Sequence, residues 1–128
     1  MSLSFQNPKK TVFIYDSTRQ SQIVLLAEVK TKTKVDTIIV NNSNLTVRLL
    51  DHLFERLQSG AASMLINENS PWYRCFSQDI HEMSETVLKH TLTAYPSLLK
   101  TPIVIHEEEV LIDPTIEHIF DVYEDMYV

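Results

Sequence analysis

The 128-residue chain has one cysteine, Cys75, so any thiol chemistry rests on a single sulfur. Cys75 sits in Trp72-Tyr73-Arg74-Cys75-Phe76. A cation beside a thiol favours the thiolate, so Arg74 could make Cys75 a nucleophile. Flanked by three aromatic residues, the same cysteine reads more simply as a small apolar filler in a packed core. A second group, Asp16-Ser17-Thr18-Arg19-Gln20-Ser21, falls where an apolar strand gives way to a helical pattern. Unpaired N–H groups at a helix start attract anions, which makes Ser17, Thr18, Arg19 and Ser21 candidates for an anion or ligand site. Capping of the helix by Ser17 or Thr18 accounts for the same residues without a ligand. Neither reading supplies a nucleophile, because a serine hydroxyl needs a nearby base and no histidine lies close in sequence.

The five histidines raise the question of a metal. The densest group of possible ligands is His106-Glu107-Glu108-Glu109, between two short apolar runs. Side chains at a hairpin tip diverge, and no H-x-x-x-H or C-x-x-C spacing occurs, so the sequence predicts no metal site. His52, His81, His90 and His118 read as surface or half-buried helix residues.

Composition narrows the remaining classes. A hydrophobic content of 44% over 128 residues suits one ordinary domain, here placed at 11–128 behind a polar leader at 1–10. A net charge of −6 argues against direct nucleic-acid binding, which draws on clustered Lys and Arg. The longest apolar run, Ile23 to Ala27, is far below the roughly 20 residues that span a bilayer. No membrane association is expected. With no apolar signal region and an unpaired cysteine, the chain is expected in the cytoplasm, and the sequons at Asn41 and Asn44 are disregarded.

The elements that must position these groups are legible from periodicity. Thr11 to Tyr15 suits a buried central strand, and Gln20 to Lys30 a helix with Ile23, Leu26, Ala27 and the aliphatic stem of Lys30 inward. Val35 to Val40 then makes a second strand, parallel to the first by the crossover rule. Asn44 is expected to cap a helix with Leu49 or Leu50, Leu53, Phe54 and Leu57 inward, and Gly60 to stop it. Ala61 to Asn69 reads as a short helical piece broken at Ser70-Pro71, and Ser84 as the cap of a helix running to about Tyr95. Ile103 to Ile105 and Val110 to Ile112 should form an antiparallel hairpin. Asp113 before Pro114 should cap a last helix with Ile116, Ile119, Phe120 and Tyr123 buried. Its other side, with Glu117, Asp121, Glu124 and Asp125, could dock a basic partner, or is simply the solvated face.

The segment Ala94-Tyr95-Pro96-Ser97-Leu98-Leu99-Lys100-Thr101-Pro102-Ile103-Val104-Ile105 resembles the "HPxLLxRPIVV" stretch of the arsenate reductase (ArsC) family, which includes Spx-type transcription regulators. Ser63 to Asn69 is similar to that family's short helix, and Val12 to Val40 to its opening βαβ unit. The resemblance spans about Thr11 to Tyr123. It implies an α/β thioredoxin-like fold: a mixed four-stranded sheet flanked by helices, a helical insertion between strands 2 and 3, and a cis proline, Pro102, opening strand 3. It also implies a nucleophilic cysteine in the turn after strand 1, where this chain reads Asp16 to Ser21, and three arginines around an oxyanion. Thr101, Asn67 and Asp113 stand where those arginines would be, and the resemblance adds Thr101 and Pro102 to Ser17, Thr18, Arg19 and Ser21 as anion or ligand candidates.

Two functions follow from these departures. The first is a non-catalytic relative with a binding or regulatory role and a protein partner, as the likeness to regulators that bind RNA polymerase would permit, and with no cofactor. The alternative is a residual thiol-dependent oxidoreductase using Cys75, or an anion pocket at Ser17 to Ser21, with glutathione as reductant.

Overall fold

The computed structural model describes residues 11–41, 43–57, 61–76 and 80–127. The leader at 1–10, Asn42 and Gly60 lie outside them. The first strand, β1 (Thr11–Tyr15), carries only β-branched or aromatic side chains, and Val12, Phe13 and Ile14 are almost wholly buried. It is central. β2 (Val35–Ile39) pairs with it in parallel, and β3 (Ile103–His106) pairs on the other side, antiparallel. β4 (Glu109–Ile112) completes the order β2-β1-β3-β4 by a hairpin with β3. This is the mixed thioredoxin-like sheet.

The chain forms two compact units, one from the described residues of Met1–Ile39 and Thr101–Val128, the other from those of Val40–Lys100. In the first unit α1 (Gln20–Lys30) and α5 (Ile116–Tyr127) bring Leu26, Val29 and Ile119 against Phe13, Val104 and Leu111. Leu25, Ile116 and Phe120 pack around that cluster. The inward face of α1 is Gln22, Leu26 and Val29, not Ile23, Leu26, Ala27 and Lys30: Ile23 is 39% exposed, and Ala27 and Lys30 are also exposed. Five apolar residues in a row leave the helical face undetermined by periodicity, and packing against Phe13 selects it. Tyr123 lies outside the residues whose side chains are described.

The β3–β4 turn is tighter than expected. His106 ends β3 and Glu109 begins β4, so only Glu107 and Glu108 turn the chain, with Glu107 at φ 56°. His106 is therefore a buried strand residue and not part of an exposed tip; its Nδ1 shares a 2.7 Å hydrogen bond with the Thr11 hydroxyl across the β1–β3 pair. Burial holds its pKa below the ordinary histidine value, against a smaller opposite pull from the Glu107 carboxylate. After β4, Asp113 adopts φ 51° and lies outside α5, whose first turn is held by Thr115: its hydroxyl accepts from the His118 N–H at 3.2 Å. The left-handed turn at Asp113 removes it from the capping position.

The insertion between β2 and β3 is the second unit. α2 (Val47–Arg56) buries Leu49, Leu50, Leu53 and Phe54, and α4 (Glu85–Ala94) buries Leu88 and Leu92. Lys89 of α4 ties them together, reaching Asp51 at 2.7 Å and lying 5.2 Å from the centre of the Phe54 ring. Thr46, not Asn44, caps α2, accepting from the Leu49 N–H at 3.1 Å; Ser84 caps α4 through Val87. Asn41 intervenes: its Oδ1 accepts from the N–H groups of Ser43 and Asn44, which forms a turn ahead of the helix and moves its start two residues on. Ala61–Leu65 is a 3₁₀ segment and Pro96–Leu98 another, joined by an Ile66–Leu99 bridge. α3 (Tyr73–Phe76) is one turn long.

Candidate functional site

The residues brought together are those of the β1–α1 turn and the start of β3. Asp16 organises the turn: its Oδ1 accepts from the Thr18 N–H at 2.9 Å and the Thr18 hydroxyl at 2.6 Å, and its carbonyl accepts from the Arg19 N–H at 3.1 Å. This local Asx-type turn makes Arg19 the residue preceding α1, and no side chain caps the helix. Ser17 and Thr18 therefore do not cap α1; they lie ahead of its first turn. Ser17, Thr18, Arg19 and Ser21 are all exposed.

Gln22 holds this turn against the hairpin. It is only 3% exposed; its Oε1 accepts from the Asp16 N–H at 2.8 Å and its Nε2 donates to the Thr101 hydroxyl at 3.0 Å. Thr101 precedes Pro102 through a cis peptide bond, and the Pro102 carbonyl accepts from the Asp113 N–H at 2.8 Å. One chain of hydrogen bonds thus joins the turn and Thr101, and the next joins Pro102 and Asp113. Sequence reading missed Gln22, because a glutamine among helical residues gives no sign of burial until its partners are placed.

Beside Pro102 runs a groove of about 290 Å³. Ser21, Gln22, Val24, Leu25 and Glu28 of α1 form one wall; Pro102 and residues 113–116 form the rest. Asp113 and Glu28 contribute carboxylates, and among the described residues no Lys, Arg or His lines it. Arg19 is thus the one cation of the candidate set, on the exposed turn and outside this groove.

Cys75 belongs to the second unit, and it is exposed. The expectation of a buried filler is overturned. Trp72 and Phe76, four residues apart, both turn to Tyr95, with ring centres at 4.7 and 5.4 Å, while the one-turn segment buries none of its side chains. The same unit holds a small polar cluster: the Tyr73 hydroxyl donates to Glu68 Oε2 at 3.0 Å, and His81 Nε2 lies 3.4 Å from the same oxygen. The bond to Glu68 raises the Tyr73 pKa above the ordinary tyrosine value, with lesser help from burial and the carboxylate charge. Asn67 is a backbone organiser, donating from Nδ2 to the Ser97 carbonyl at 3.2 Å and accepting from the Asn69 N–H at 3.0 Å. Among the described residues no group of three His, Cys, Asp or Glu is placed to hold a metal, and no helix is long and apolar enough to cross a membrane.

No family model matches the sequence, and no curated protein sequence matches it significantly. The fold has clear counterparts. An arsenate reductase from Vibrio cholerae superposes with a TM-score of 0.74 at 15% identity, over 91% of this chain and 99% of that one. A possible arsenate reductase from Streptococcus mutans gives 0.69 at 17% identity, over 94% and 99% of the two chains. An arsenate reductase (ArsC) related protein from Brucella melitensis gives 0.62 at 10% identity, over 90% and 95%. The chain therefore has a thioredoxin-like fold of the arsenate-reductase type, and identities this low establish the fold alone.

Proposed function

We propose that this chain is a binding or regulatory protein on an arsenate-reductase-like scaffold, working through a protein partner and without the family's catalytic cysteine. One observation carries the reading: the turn beside Pro102, where that scaffold would hold its nucleophile, consists of Asp16, Ser17, Thr18 and Arg19, and contains no thiol. A thiolate is the attacking group in thiol-based reduction, and among the described residues no hydroxyl of this turn has a histidine base among its hydrogen-bond partners. Asp113, lining the adjoining groove, supplies negative charge where an oxyanion would need positive. The test is arsenate-dependent oxidation of glutathione by the purified chain. The expected rate equals the protein-free blank; arsenate-dependent turnover would sink the proposal.

The exposure of Cys75, next to exposed Arg74, favours a second reading as a thiol-dependent oxidoreductase with glutathione as reductant. That reading requires general thiol–disulfide turnover that disappears in Cys75→Ser. Turnover that survives the substitution removes it.

A further inference from the structure

The groove between α1 and residues 113–116 has two properties that belong together. Its lining brings apolar side chains to solvent beside polar ones: Val24 is 48% exposed and Leu25 and Ile116 are half-buried, next to exposed Ser21 and Thr115. Its charges have one sign, from Glu28 and Asp113. Among the described residues neither carboxylate has an ion-pair partner, and Lys32, four residues beyond Glu28, is instead placed over the Phe120 ring at 5.3 Å. Glu117, next to Ile116 on α5, is exposed and adds a third negative charge nearby. At about 290 Å³ the groove falls at the lower limit of small-molecule pockets, roughly 300–1,000 Å³, so it suits a few side chains better than a cofactor.

We propose that this groove docks a polypeptide segment carrying a lysine or arginine beside an apolar side chain. The apolar side chain covers Val24, Leu25 and Ile116, and removal of that surface from water supplies most of the affinity. The cation meets Glu28 and Asp113, which fix orientation and exclude acidic segments. The inference rests on the binding reading above and names the chemistry of its partner.

The experiment uses the full chain and two fluorescent ten-residue peptides, one of Lys, Leu and Ser, the other with Glu in place of every Lys. Anisotropy titration is expected to show binding of the first in preference to the second. Glu28→Gln with Asp113→Asn should weaken the Lys peptide by roughly three- to tenfold, since each rim charge contributes modestly. Asn also tolerates the left-handed backbone at 113. The control, Asp36→Asn with Glu82→Gln, removes the same charge from exposed positions elsewhere and should leave affinity within about twofold, as distant screened charges do. Amide NMR shifts on titration should concentrate at residues 21–28 and 113–116. Equal affinity for the two peptides, equal weakening in both double variants, or shifts centred elsewhere would overturn the proposal, as would competition of inorganic phosphate for the same amides. Thiol turnover by the same preparation would instead remove the parent reading and leave the peptide result standing.

Discussion

Gln22 is the polar side chain on the buried face of α1, and both ends of its amide are used. Gln22→Met keeps length and apolar packing but abandons the Asp16 N–H and the Thr101 hydroxyl. Stranding partly buried polar groups costs about 1–3 kcal/mol, so the urea midpoint should fall by that equivalent; an unchanged midpoint would show that the amide does not hold the turn. Cys75 allows a simpler check at the same scale. Because it is exposed, iodoacetamide should alkylate it in the native state, at a rate that low urea does not change. Alkylation limited by unfolding would return it to the core. The sequence context misled here because three flanking aromatics suggest burial, whereas only two of them, Trp72 and Phe76, converge on Tyr95.

At the scale of elements, the strands and the longer helical spans were legible because unbroken apolar runs, helical periodicity and prolines agree with one another. Thr11 to Tyr15 has no polar interruption, and Ser84 stands directly before a helical stripe. What was illegible depended on competition between neighbours. Asn44 and Thr46 are both good capping residues, and only the turn made by the Asn41 side chain decides between them. Thr46→Ala should therefore destabilise the chain by about 1 kcal/mol, whereas Thr46→Ser, which keeps the acceptor, should cost much less. Equal losses in thermal midpoint for the two variants would place the cap elsewhere. Asp113 shows the same limit: Asp-Pro reads as a helix start, yet the bond from its N–H to the Pro102 carbonyl draws it into a left-handed turn that belongs to the groove. The turn and Thr101-Pro102 carry a sequence signal, and the structure joins them through Gln22; the acidic and apolar lining of the groove beside them comes in part from Glu28 and Val24, which carry no motif.

For the molecule as a whole, His106 couples stability to pH. Its buried ring, bonded to Thr11 between two central strands, keeps the folded-state pKa below the ordinary value of about 6.5. Above that value the ring is neutral in both the folded and the unfolded chain, and the folded state has its full stability. As pH falls through about 6.5 the unfolded chain takes up a proton that the folded chain refuses, so stability declines until the lower folded-state pKa is reached. The acid side is therefore the weak side for this group, opposite to a histidine stabilised by a carboxylate. Glu107 reduces the effect without reversing it. Carboxylates elsewhere also titrate on acidification, so the comparison needs a chain that differs only here. His106→Gln keeps a hydrogen-bonding group toward Thr11 and cannot be protonated. Urea midpoints at pH 7.5, 6.5 and 5.5 should fall more steeply for the wild-type chain than for this variant, with the gap opening below pH 6.5. Parallel curves would mean that the ring is protonated as readily in the folded sheet as in water.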